Sequence, residues 1–147
     1  MKFLDWPPVW TGGFVALTWA LDQLLPWGMF GPAGRTIGAV LVAVGLFLMA
    51  GAAAQMVLAR TTFIPRRDPS ALVTGGLFRF SRNPIYLGDV LVLAGAVLWW
   101  DVPLAAMLVL LLILVIQHRF ILGEEARLRA AFPQDYARWS ARTRRWL

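Results

Sequence analysis

Four stretches of the chain are mostly apolar, at residues 9–27, 37–59, 85–100 and 102–122, and prolines, glycines or arginines punctuate the segments around them. A helix needs about 20 such residues to cross a hydrocarbon core of about 30 Å, so the pattern predicts four transmembrane spans. The third and fourth are separated only by Asp101, Val102 and Pro103, after Trp99 and Trp100. That spacing predicts a tight antiparallel hairpin with tryptophans at the membrane interface. No run alternates as a strand does. The expected fold class is therefore all-α: one integral membrane bundle over residues 1–147, with a bent loop between spans two and three and an interfacial segment at 123–147. Residues 1–10 lack the pattern of a cleaved signal peptide, so the first span is read as retained.

Composition supports a membrane protein: 59% of residues are hydrophobic, 15% are charged, and the mean hydropathy is +0.65. The absence of cysteine excludes disulfides, thiolate metal sites and a cysteine nucleophile. A net charge of +6 invites a nucleic-acid reading. The cations, however, are almost all arginines beside apolar segments, which suits an anionic lipid surface better. Arg60, Arg66, Arg67, Arg79 and Arg82 lie between spans two and three, and Arg127, Arg129, Arg138, Arg142, Arg144 and Arg145 in the tail. The opposite face carries Arg35 and Asp101, so both termini, with Lys2, are expected in the cytoplasm. Ala39, Ala43, Ala50, Gly51 and Ala54 on span two suit close helix packing.

The segment from Thr61 to Pro84 holds Pro65, Pro69, Gly75 and Gly76, too many breakers for one helix. Gln55, Asp89, Gln117 and His118 all fall near the cytoplasmic ends of their spans, in one layer with Arg119 and the pair Glu124 and Glu125. Polar groups at such depth face a bundle interior or a water-filled cavity, which predicts a polar pocket opening to the cytoplasm. Singly, Gln55 and Gln117 have a plainer reading as interhelical hydrogen-bonders, Asp89 as a neighbour of Tyr86, and His118 as a structural or pocket-lining histidine. Asp22 is read as interfacial. One histidine and scattered carboxylates do not make a metal site. Neither a Gly-x-Gly-x-x-Gly fingerprint nor a Walker motif is present, so any nucleotide must be held by helices and the bent loop.

Two motifs carry a resemblance. The first is Arg82-Asn83-Pro84-x-Tyr86-x-Gly88, and the second Glu124-Glu125-x-x-Leu128-x-x-x-Phe132-x-x-x-Tyr136-x-x-Trp139, in order and on either side of a helical hairpin. Together they resemble the isoprenylcysteine carboxyl methyltransferase family and the related bacterial and phospholipid methyltransferases of membranes. The resemblance implies S-adenosylmethionine as methyl donor. By position it implies that Leu72, Val73, Gly75, Arg82, Asn83, Pro84, Tyr86, His118, Glu124 and Glu125 bind it. Asn83 stands where the isoprenylcysteine enzymes usually have histidine, as does Ser70 where many have another, and Asn-Pro looks like the bacterial branch. A bacterial inner membrane is the compartment this implies.

A sulfonium is already electrophilic, so methyl transfer needs in-line positioning more than acid or base catalysis. For a carboxylate acceptor, Arg119 is the candidate to orient it. For an amine, Asp89 or Glu125 is the candidate proton acceptor, and a thiol is the third acceptor class. The expected partners are a lipophilic small molecule and membrane lipids, with no nucleic acid and with monomer and homodimer both open. Phe132, Tyr136 and Trp139 are read as packing residues, and the tail arginines as a membrane-facing set. Two alternatives stand beside this reading: an NADPH-dependent enzyme like the sterol reductases, and a non-enzymatic membrane scaffold subunit.

Overall fold

A computed structural model describes residues 6–25, 27–62 and 69–147, and every regular element among them is helical. The helices are α1 (Pro7–Leu24), α2 (Gly31–Leu58), α3 (Pro84–Trp99), α4 (Ala106–Ile116), α5 (Leu122–Ala131) and α6 (Pro133–Ser140). Short 3-10 turns cover Gly76–Arg79 and Pro103–Ala105, and a π-turn over Gln117–Ile121 joins α4 to α5. Proline opens α1, α2, α3 and α6, where its fixed φ and missing N–H cost least. Lys2, Pro26, Pro65, Arg66 and Arg67 lie outside the described residues.

Two of these helical runs are long and apolar enough to cross a membrane: Gly31–Leu58, and Pro103–Ala131, which joins α4 to α5. The other two expected spans correspond to α1 and α3. The 16 residues of α3 give about 24 Å of helix, less than a full hydrocarbon core. Gly12, Gly13, Asp22 and Gln23 dilute the apolar character of α1.

The shortest of the four is the hub. Pro84, Tyr86, Gly88, Asp89, Val90, Leu93, Gly95, Ala96 and Val97 of α3 are buried, and the helix packs against α1, α2 and α4. Burial on every side is why its sequence is apolar all round. In contrast, α2 buries only Gly34, Gly38, Gly45 and Ala52 and turns Ile37, Val44 and Phe47 outward.

The α2–α3 contact is built from glycines spaced seven apart on antiparallel helices. A Cβ on Gly95 would lie 2.6 Å from the Gly38 carbonyl oxygen, and one on Gly45 would lie 2.7 Å from that of Gly88. Backbone therefore touches backbone, as small residues allow in membrane interiors. This corrects the sequence-based packing face. Ala43, Ala50 and Ala54 are exposed, and Ala39 and Gly51 only half-buried; the contact requires residues without a Cβ.

At the end of the bundle away from the loop, Asp101 caps α2 from outside. Its carboxylate accepts the N–H groups of Met29, Phe30 and Gly31 at 2.7, 2.7 and 2.9 Å. These are donors that a helix start leaves unpaired, and Asp101 adopts a φ of 57° to reach them. The hydrogen bonds, Phe30 first, hold its carboxyl below the usual range, against a smaller opposing effect of desolvation.

Two outcomes follow for stability in detergent. Gly38→Ala is expected to cost about 1–3 kcal/mol by overpacking, read as a lower denaturation midpoint. Gly12→Ala, whose Cβ meets nothing within 4 Å, is expected to hold stability or raise it by up to about 1 kcal/mol. Asp101→Asn keeps the left-handed backbone accessible but loses the charge, and should lower the Tm at neutral pH. Because the folded carboxyl is depressed, its stabilisation is complete above about pH 4 and is lost as pH falls through the folded value. The Tm gap between wild type and variant should therefore close on acidification.

Candidate functional site

At the opposite end from Asp101, the first turn of α1, the lower half of α2, the loop 69–83, the start of α3, α5 and α6 enclose a cavity of about 300 Å³. Glu124 stands about 32 Å along the helical run from Pro103, so the cavity sits one hydrocarbon thickness from the hairpin turn. Gln55 fixes the loop, since its Oε1 accepts the Leu77 N–H at 3.1 Å beside Gly76, whose φ is 58°. Trp139 of α6 fixes it from the other side by donating Nε1–H to the Phe78 carbonyl at 2.9 Å.

The walls divide by chemistry. Met49, Ala53, Met56, Leu72, Val73, Phe78, Ile85 and Leu128 supply apolar surface, and Arg82, Tyr86, Glu124, Glu125 and Arg127 the polar side. The Tyr86 hydroxyl donates to Glu124 Oε1 at 2.7 Å. Glu125 is buried and held twice: Arg145 donates Nε–H and Nη2–H to its two oxygens at 3.0 and 2.8 Å, and Arg82 Nη2 lies 3.4 Å from Oε1. Those bonds to Glu125 hold the Arg145 guanidinium more firmly protonated than usual, against the desolvation that opposes it. Arg82 Nη1 donates to the Tyr136 hydroxyl at 3.2 Å, whereas Arg82 Nε is buried with no hydrogen-bond partner among the described residues.

Eight of the residues expected to bind cofactor line this one cavity: Leu72, Val73, Arg82, Asn83, Pro84, Tyr86, Glu124 and Glu125. Gly75 and His118 do not; both are exposed, His118 within the π-turn. A π-turn takes up about one extra residue, so it rotates His118 roughly a quarter turn away from the face that Glu125 occupies. The candidate catalytic groups are also redistributed. Arg119 is exposed and lies over the Trp10 ring at 5.4 Å. Asp89 is fully buried off the cavity and accepts the Thr11 hydroxyl at 2.8 Å, so its partner is α1 and not Tyr86. Glu125 lies at the cavity, but its carboxylate is committed to two guanidiniums.

The expected polar layer is thus several separate contacts around the cavity, with Gln55 on the loop and Gln117 accepting Trp146 Nε1–H at 3.4 Å. Asp22 is half-buried and accepts from the Gln23 amide. Tyr136 and Trp139 are buried yet also line the cavity, Phe132 is half-buried off it, and Arg129 lies over the Tyr136 ring at 5.5 Å. The apolar face of α6 is therefore covered by protein. The residue that sequence reasoning missed is Arg145, grouped with the membrane-facing arginines but turned inward to Glu125. No spacing marks it, since 20 residues separate the pair.

These features define a helical protein with two runs long and apolar enough to cross a membrane and a cavity at one end of the bundle that is charged on one side. The chain belongs to the phospholipid methyltransferase family, whose model matches residues 34–135, and so to a family of membrane-associated methyltransferases. Neither the comparison with curated proteins nor that with solved structures gives a match.

The Glu125 contacts generate a stability prediction. Glu125→Gln leaves two guanidiniums facing each other in a partly buried site, and should cost about 3 kcal/mol. Glu124→Gln keeps an acceptor for Tyr86 and should cost less than about 1 kcal/mol. Denaturation midpoints of the two variants side by side check the difference.

Proposed function

We propose that the protein transfers the methyl group of S-adenosylmethionine to a lipophilic acceptor at the cytoplasmic membrane edge. The observation that carries this reading is the convergence of Arg82, Tyr86, Glu124 and Glu125, from separate segments, on one cavity. When bound, S-adenosylmethionine supplies an electrophilic methyl on sulfur. The residues present suit it. An ammonium seeks a carboxylate, which Glu124 offers on the wall. A carboxylate seeks donors, and Arg82 holds a buried Nε–H without a partner among the described residues. Leu72, Val73 and Phe78 offer apolar surface for a nucleoside.

The arrangement assigns roles differently from the sequence motifs alone. Glu125, saturated by Arg82 and Arg145, acts here by holding arginines and not by accepting a proton. The acceptor's long apolar part has a route along α3, because α1 and α2 both pack on that helix and make little contact with each other. Pro7 and Pro8 of α1 and Met49, Ala53 and Met56 of α2 line the cavity where such a route would enter it. Such a membrane-facing route would bring the acceptor's carboxylate, amine or thiol to the cavity while its tail stays in lipid. Holding both reactants in line is then the main contribution to rate. Both termini lie on the cytoplasmic side in this reading, and a bacterial inner membrane is the proposed location.

Isothermal titration of the detergent-solubilised protein tests the reading. The wild type should bind S-adenosylmethionine in preference to NADPH. Arg82→Ala and Glu124→Ala should each weaken it at least roughly tenfold, the loss of one charged hydrogen bond. Arg35→Ala, at the far end of the bundle, should leave affinity within about twofold. Preference for NADPH, or equal binding by all variants, would overturn the assignment.

A further inference from the structure

The last residues of the chain are tied across the base of the site. The Arg144 carbonyl accepts the Arg82 N–H at 3.0 Å. The Arg145 carbonyl accepts Asn83 Nδ2–H at 3.0 Å and the Ser81 hydroxyl at 3.4 Å. Trp146 reaches Gln117 of the π-turn. A strap of three residues therefore joins the start of α3 to the helical run that carries the glutamates. Asn83, the departure from histidine noted in the motif, has its amide engaged by this strap.

The strap also decides what Arg82 can do. A carboxylate pairs most strongly with the edge of a guanidinium that presents two parallel N–H groups. For Arg145 that edge is Nε with Nη2, and Glu125 fills it. Arg82 meets the same carboxylate through Nη2 at 3.4 Å, and its own Nε is buried and has no partner among the described residues. Without Arg145, Glu125 is free to swing onto the Nε and Nη2 edge of Arg82 and satisfy the open donor itself.

We propose that Arg145 is a positioning residue which, by occupying Glu125, keeps the Arg82 Nε–H open for the carboxylate of a bound amino-acid group. This rests on the cofactor reading above, in which that carboxylate belongs to the methionine portion of the donor. It assigns the C-terminal strap to the binding site, although no strap residue lines the cavity.

The test compares two nucleosides that differ in this one group: S-adenosylhomocysteine, which carries the amino-acid end, and methylthioadenosine, which lacks it. By titration calorimetry, Arg145→Gln should weaken S-adenosylhomocysteine at least tenfold while methylthioadenosine changes by less than about twofold. The double variant Arg145→Gln with Glu125→Gln removes the competing charge and should recover part of the lost affinity; a merely structural role gives further loss instead. Arg145→Lys, which keeps the charge without the fork, is the second variant should Arg145→Gln not fold, and the same selective loss is expected. Equal weakening of both nucleosides, or unchanged S-adenosylhomocysteine binding, overturns the proposal alone. Failure of the wild type to bind either nucleoside overturns the cofactor reading and this inference together.

Discussion

One carboxylate shared between two guanidiniums sets the site. Glu125 is buried at the far end of the α4–α5 run, and there it meets Arg82 from the start of α3 and Arg145 from the tail. A charge taken out of water is tolerable only when paired and hydrogen-bonded. The three segments are therefore not free to part. Two further polar contacts of the cavity go with that anchoring: Arg82 so held reaches Tyr136, and α6 so placed brings Trp139 onto the Phe78 carbonyl.

The other end of the bundle supplies the complementary constraint. Gly38 against Gly95 and Gly45 against Gly88 bring α2 and α3 to backbone contact, and Asp101 ties the start of α2 to the α3–α4 turn. With the helix pair fixed in both separation and register, the extra length of α2 runs past the beginning of α3. Met49, Ala53 and Met56, in the last third of α2, then contribute one wall of the cavity. A short central helix beside a long one thus makes the hollow, and the loop 69–83 covers it.

Much of this was legible in the chain. Helical class, the hairpin turn and the meeting of eight of the ten expected site residues on one cavity were readable from local signals: apolar length, breaker residues, and motif residues close together in sequence. What was not legible depended on departures from ideal helices or on long-range pairing. His118 and Glu125 are seven residues apart and would share a face in a regular α-helix; the π-turn separates them. The packing face of α2 was misjudged because alanine and glycine were treated alike, whereas contact through carbonyl oxygens admits only glycine. Arg145 was hidden because a surface arginine and an inward one look the same in sequence, and Asp89 because its partner, Thr11, is 78 residues away.

The placement of charge explains how the nucleoside cofactor proposed above would suit an all-helical fold. Glycine-rich loops on sheets bind phosphates through backbone amides at helix starts, and S-adenosylmethionine has no phosphate. Its ammonium and carboxylate call for side chains of both signs at short range, which helix ends at a membrane edge supply readily. In the proposed placement, the carboxylates of α5 meet Arg82, just before α3, and Arg145 of the tail at that edge, where each still has an opposite charge to offset its desolvation. Deeper in the bundle the same groups would lack partners, and farther out they would be screened by water. The depth of the site is thus a consequence of the charges it must hold.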